Sequence, residues 1–215
     1  MSGYFNSFPD WADKLAPRMV KSLQSRHFDA YYCKTAAEAK NMALSLIDEG
    51  STVSWGGSLT IREIGLKQAV VDGNYKVIDR DKGETPEARH ELMRQALLCD
   101  TYLTSVNAIS EDGEFVNIDG GGNRVAAITF GPKSVIAIVG MNKVAKTLQD
   151  AYNRARSYAS PLNTVRLNLD TPCAKTGSCM NCTVAGCACA YIVTTRVCRN
   201  PGRIKIILVG EPLGL

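Results

Sequence analysis

Histidine is nearly missing from this chain of 215 residues, which has two, His27 and His90. That excludes a His-rich metal site and argues against catalysis by a Ser–His or Cys–His pair, so proton transfer falls to carboxylates. No apolar run approaches the ~18 residues of a membrane-spanning helix. The opening stretch MSGYFNSFPDWADK lacks the apolar core of a signal peptide, so the expected compartment is the cytoplasm. Repeats and low-complexity linkers are also missing. With 45% hydrophobic and 21% charged residues the composition is that of an ordinary folded protein. The expected organisation is one domain over 1–215, with an N-terminal helical segment at about 7–48 and a cysteine-rich insertion at about 170–200.

Positive charge and cysteine are unevenly placed. The net charge is +4, yet residues 131–205 hold eleven Lys or Arg against two acids, Asp150 and Asp170. Such a cluster favours a small anionic ligand or an acidic partner. The cations are dispersed and accompany no recognition motif, so nucleic acid is not expected. Six of the eight cysteines fall between Cys173 and Cys198. Without an export signal, metal ligation or redox chemistry is the first expectation, and disulfides or free thiols the alternative. Cys173, Cys179, Cys182 and Cys189 are spaced C-x5-C-x2-C-x6-C, with Cys187 and Cys198 as extras. Thiolates at such loop spacings can converge on zinc or an iron–sulfur cluster, although neither a zinc ribbon nor a ferredoxin run is matched. Cys33 and Cys99 sit in apolar context, as core residues do.

Hydrophobic periodicity alternates between helix and strand. Helices are expected at 11–26, 35–48 (with Thr35 and Glu38 as a capping box and Gly50 as its stop), 59–71, from Thr85-Pro86-Glu87, and over Asn142–Tyr158. Strands are expected at Phe28–Cys33, Thr52–Trp55, Lys76–Asp79, Tyr102–Thr104, Val125–Phe130, Val135–Val139 and Ile204–Val209. Asn107–Ser110 and Phe115–Ile118 read as an antiparallel hairpin. Strands separated by helices imply an open, mostly parallel α/β sheet flanked by helices, made mixed by the hairpin. Residues 160–200 lack convincing periodicity and need another source of order.

Three stretches can carry chemistry. Gly56-Gly57-Ser58 joins a strand to a helix, where backbone N–H groups and the Ser58 and Thr60 hydroxyls can meet an anion; the alternative is a plain tight turn. In NAISEDGEFVNIDGGGNR, Glu111 or Asp119 can act as base or nucleophile, Arg124 can hold a substrate carboxylate by paired hydrogen bonds, and Asn123 is a further ligand-binding candidate. The alternative there is that Glu111 belongs to a hairpin turn and Asp119 caps a helix. Lys143, at a strand end, offers a positive charge at the same edge.

The segments TVSWGGSLTIREIGL, VIDRD, SVNAISEDGEFVNIDGGGNRVAAITFGPKSVIAIVGMNKV, CAKTGSCMNC and RIKIILVGEPLGL resemble the lactate-utilisation (LUD) domain family, over about residues 15–215. The resemblance implies a fold similar to the sugar-phosphate isomerase and coenzyme A transferase superfamily. It gathers Gly56, Gly57, Ser58, Glu111, Asp119, Asn123 and Lys143 around one cleft. Ser110-Glu111-Asp112-Gly113 is similar to the turn that carries the catalytic glutamate of some coenzyme A transferases. Family members accompany iron–sulfur subunits, which implies a part in L-lactate oxidation to pyruvate. Where the family has Arg-Ile-Cys this chain has Cys187-Ala188-Cys189, and the metal on the cysteine segment, iron–sulfur or zinc, stays open. The alternatives are a non-enzymatic redox or metabolite-sensing module, or acyl transfer through Glu111. Homo-oligomerisation is compatible with either.

Overall fold

The computed structural model describes residues 3–215, so the first two residues of the stretch read against a signal peptide lie outside it. Its centre is a strand pair whose residues are apolar on both faces. Strand β7 (Ser134–Gly140) sends Val135, Ala137 and Val139 to one core and Ile136 and Ile138 to another. Strand β10 (Ile204–Val209), which is parallel to it, does the same with Ile206 and Leu208 against Ile207 and Val209. Continuous Val/Ile/Leu runs of this kind belong to parallel strands covered on both sides.

Around that pair stand β1 (Asp29–Cys33), β2 (Thr52–Trp55), β3 (Lys76–Ile78) and β4 (Thr101–Thr104). Together they form a six-stranded sheet in the order β1-β10-β7-β4-β2-β3, every pairing parallel. Helix α1 (Gly3–Ser25) covers the first face with Ala12, Ala16, Met19 and Leu23, one side of a helix at spacings of three and four. The second face is covered by α2 (Ala36–Ser45), α3 (Leu59–Glu63) and α4 (Leu66–Asp72), which contribute Ala39, Ala43, Ile61, Leu66 and Val70. Thr35 caps α2 by accepting from the Glu38 N–H at 3.2 Å. The Glu38 carboxylate reaches back to the Lys34 N–H and not to that of Thr35. Helix α5 (Pro86–Gln95) starts with Thr85 as cap and proline in its first turn.

The expected hairpin forms, from β5 (Ala108–Ser110) and β6 (Phe115–Asp119), but it leaves the main sheet. With β8 (Val144–Ala145) and β9 (Tyr191–Thr195) it makes a second sheet in the order β8-β5-β6-β9, so the antiparallel pairings lie there.

Other expectations are corrected. Val125–Phe130 is not a strand: α6 (Asn123–Thr129) occupies it, because Asp119 accepts from the Arg124 and Val125 N–H groups and fixes the first turn. The 59–71 helix is divided at Gly65, and α2 stops at Ser45, well before Gly50. The helix expected from Asn142 starts only at Leu148, after a short 3₁₀ turn (Met141–Lys143) and β8; Thr147 and Asp150 form its capping box. That helix, α7 (Leu148–Arg154), continues through a π-helical turn (Ala155–Ala159) into α8 (Ser160–Arg166). Residues 160–200 therefore hold α8, α9 (Pro172–Thr176) and β9.

Candidate functional site

Parallel pairing points every carboxyl end of the main sheet one way. Neighbours β2 and β4 send the chain in opposite directions, to β3 and towards β7, which opens a crevice between them. A cleft of about 360 Å³ lies at this edge. Its walls come from Gly57–Thr60 after β2, Ser105–Asn107 after β4, Asp119, Gly120, Asn123, Arg124 and Lys143, together with Arg80 and Asn163.

The cleft brings together Gly57, Ser58, Asp119, Asn123, Arg124 and Lys143. Gly56 packs just beneath, where a Cβ would meet the Tyr102 hydroxyl at 3.0 Å and Arg124 at 3.1 Å. The glycine turn is not an open anion nest, however. The Gly56 N–H donates to Leu103 O, the Ser58 N–H donates to Gly56 O, and the Ser58 hydroxyl accepts from the Ile61 N–H as the cap of α3. Asp119 is likewise engaged. Its Oδ1 accepts from Gly121 and its Oδ2 from the first turn of α6.

Arg124 ties the second sheet to the rim. It donates to Ser105 O at 3.2 Å, Asn107 Oδ1 at 2.7 Å and Ile118 O at 2.6 Å. Burial pushes its pKa down, and part of its donor fork is already committed. Glu111 stands apart. It lies on the β5–β6 turn, outside the cleft lining, where it accepts from Lys146 at 2.8 Å and pairs with Arg18.

Sequence reading passed over Arg80, although VIDRD contains it. Asp79 accepts from the Asp81 N–H to set a 3₁₀ turn (Arg80–Lys82), and Lys67 bridges Asp79 at 3.2 Å and Asp81 at 2.9 Å. This presents Arg80 over Gly57, so closely that a Cβ there would sit 2.6 Å from Nη2. The guanidinium has Met93 Sδ at 3.7 Å and Asp81 at 3.9 Å. Most of its five donors are left for the cleft.

Lys143 is 3% exposed. Its Nζ donates to Thr60 Oγ1 and Ser105 Oγ, both at 2.9 Å. Burial, with Arg154 and Arg124 nearby, pushes its pKa down to about 7, against a weaker upward pull from Glu63. Gly214, in the left-handed region at φ +62°, passes directly over it; a Cβ there would lie 2.5 Å from Thr60 Oγ1 and 3.2 Å from Nζ.

The cysteine segment borders the same cleft. Cys187 and Ala188 line it, and Gly120 packs on their backbone. All eight cysteines are free. Cys189 is pushed up by burial and by the neighbouring charges of Cys187, Cys182, Cys179 and Cys173, so these thiols share one neighbourhood. Burial opposes the Cys173 thiolate, but hydrogen bonds with Thr164 and Thr171, both at 3.3 Å, outweigh it and lower the pKa. The donors suit a soft metal in kind. Among the described residues, though, no group of three or more His, Cys, Asp or Glu is arranged to hold an ion, so the expected set Cys173, Cys179, Cys182 and Cys189 does not fit one as it stands.

No helix among the described residues is long and apolar enough to cross a membrane. No curated protein matches the sequence. Among solved structures, a DUF162 family protein from Deinococcus radiodurans is similar, with a TM-score of 0.54 at 11% identity, covering 92% of this chain and 97% of that one. Weaker likenesses are ribose 5 phosphate isomerase A from Neisseria gonorrhoeae (TM-score 0.35, 15% identity, 54% of this chain and 56% of that one) and eIF2B delta from Chaetomium thermophilum (TM-score 0.32, 18% identity, 68% and 59%). The LUD domain matches residues 16–209. The chain belongs to the LUD domain family.

Proposed function

We propose that the rim cleft binds a small organic acid of the lactate type, a 2-hydroxy or 2-oxo acid, as part of L-lactate oxidation to pyruvate. The observation that carries this reading is an imbalance of charge. Arg80, Arg124 and Arg166 line the cleft, while its aspartate, Asp119, is engaged in capping α6. Cations gathered in a partly desolvated crevice leave an anion as the missing charge. Arg80 takes the role first given to Arg124, because its fork is the freer of the two and matches a carboxylate bidentately.

Calorimetry with L-lactate, pyruvate and uncharged lactamide tests the binding. The acids should bind and lactamide should not, and Arg80→Ala should weaken the acids by about tenfold or more. Equal binding of lactamide would remove the carboxylate from the site. Oxidation itself is tested by mixing the chain anaerobically with iron–sulfur subunits as electron acceptors; lactate should be consumed only when this chain is present. The transferase reading required Glu111 in the cleft, and that carboxylate faces Arg18 and Lys146 instead.

A further inference from the structure

We propose that Lys143 is a carbonyl-condensing amine whose Nζ forms an imine with the keto group of a 2-oxo acid in the cleft, an inference that rests on the small-acid reading above.

A lysine buried to this depth ordinarily has a carboxylate partner. Lys143 has two hydroxyls in its place, Thr60 Oγ1 from the first turn of α3 and Ser105 Oγ from the loop after β4. A neutral amine carries two N–H donors and one lone pair. Two hydroxyl acceptors account for the donors and leave the lone pair as the nucleophile. The charged groups around it are Arg124, Arg154 and Glu63, and the balance, with burial, disfavours the ammonium form. Arg154 adds no counter-charge, since it donates to Asn142 O and Asn107 O. Burial and the two guanidiniums therefore favour the neutral amine near pH 7 far more than at a surface lysine. Such lysines, desolvated beside other cations, form Schiff bases.

The chemistry balances without a further reactant. The nitrogen lone pair attacks the keto carbon, a C–N bond forms, and the carbonyl π pair moves to oxygen. One proton passes from nitrogen to that oxygen, with the Ser105 or Thr60 hydroxyl in place to relay it. The carbinolamine then takes a solvent proton on its hydroxyl, the C–O bond breaks, water leaves, and the nitrogen pair closes the C=N bond. Gly214 closes over Nζ so tightly that a Cβ there would crowd Thr60 Oγ1, so the keto carbon approaches the amine from the cleft that Lys143 lines.

The test uses the full chain with pyruvate and sodium borohydride, which reduces an imine to a stable secondary amine, followed by peptide mapping. Pyruvate binding is measured in parallel by calorimetry. Lys143 should be labelled about a hundredfold faster than exposed lysines such as Lys146 at pH 7. Its labelling should be blocked by excess L-lactate, which has a hydroxyl in place of the keto group. Saturable pyruvate binding with labelling spread evenly over the lysines would overturn the imine and leave the small-acid reading standing. Absence of both binding and labelling would remove that reading itself. Because mapping is done on the unaltered protein, folding of a variant does not enter the result.

Discussion

In β10 every residue except Lys205 is buried, whereas in β9 none is. The first strand lies between two parallel neighbours and feeds cores on both faces; the second pairs only with β6, at the edge of the small sheet. Both contribute to the same end of the molecule. The main sheet sets the floor of the cleft through the loops after its strands, and the cysteine loop that leads into β9 forms one wall. The rigid half fixes where the ligand's functional groups must lie. The other half, with little apolar burial to hold it, is the half in which local opening is least costly.

The contrast can be broken most directly by truncation. Ile207→Ala in β10 should cost about 3–5 kcal/mol in a denaturant titration, whereas Val193→Ala in β9 should cost less than about 1 kcal/mol. Equal losses would show that the small sheet is as tightly packed as the large one.

Lys143 sharpens the comparison within the rigid half. Its folded pKa of about 7 lies below the ordinary 10.5, so protonating the unfolded chain draws stability away as pH falls from 10.5 towards 7. Lys143→Met should therefore raise ligand-free stability by about 2 kcal/mol at pH 7, with the gain shrinking towards pH 10.5. A gain that grew with pH would mean that the amine is charged in the folded protein.

The cysteine wall is tested by zinc, or by iron with sulfide under anaerobic conditions. If the thiols around Cys189 close on a metal, protease cleavage within 177–190 should slow about tenfold while the unfolding midpoint of the main sheet barely moves. Unchanged cleavage at saturating metal would leave them as ordinary thiols. The smallest effect is expected at Glu111→Gln, which should alter stability by less than about 1 kcal/mol and pyruvate affinity by less than about twofold.

The main sheet was legible because its strands are short apolar runs separated by helix-length segments, and Ile204–Val209 reads as a doubly buried strand without further help. Val125–Phe130 was misread for a related reason. Six apolar-rich residues do not distinguish a strand from a buried helical turn, and the deciding groups, Asp119 and Gly122, lie outside the run. The helix from Leu148 to Arg166 lost its period at the π turn, so the stretch beyond it looked structureless. At the rim, the glycine turns and Lys143 were visible as residue types at strand ends. Arg80 was not, since only the pinning of its turn by Lys67 aims it at Gly57. Glu111 was drawn to the cleft by its motif, but it lies on the β5–β6 turn, at the opposite end of the hairpin from Asn107 and Asp119.

The π turn at Ala155–Ala159 has a consequence for how this cleft can diverge. Each residue added to or removed from a regular helix rotates the remaining turns by about 100°. Deleting one residue there would restore the regular winding and swing Asn163 and Arg166 off the wall they now line. A relative could thus acquire a different ligand preference through a single-codon change in length, with every side chain facing the ligand still encoded.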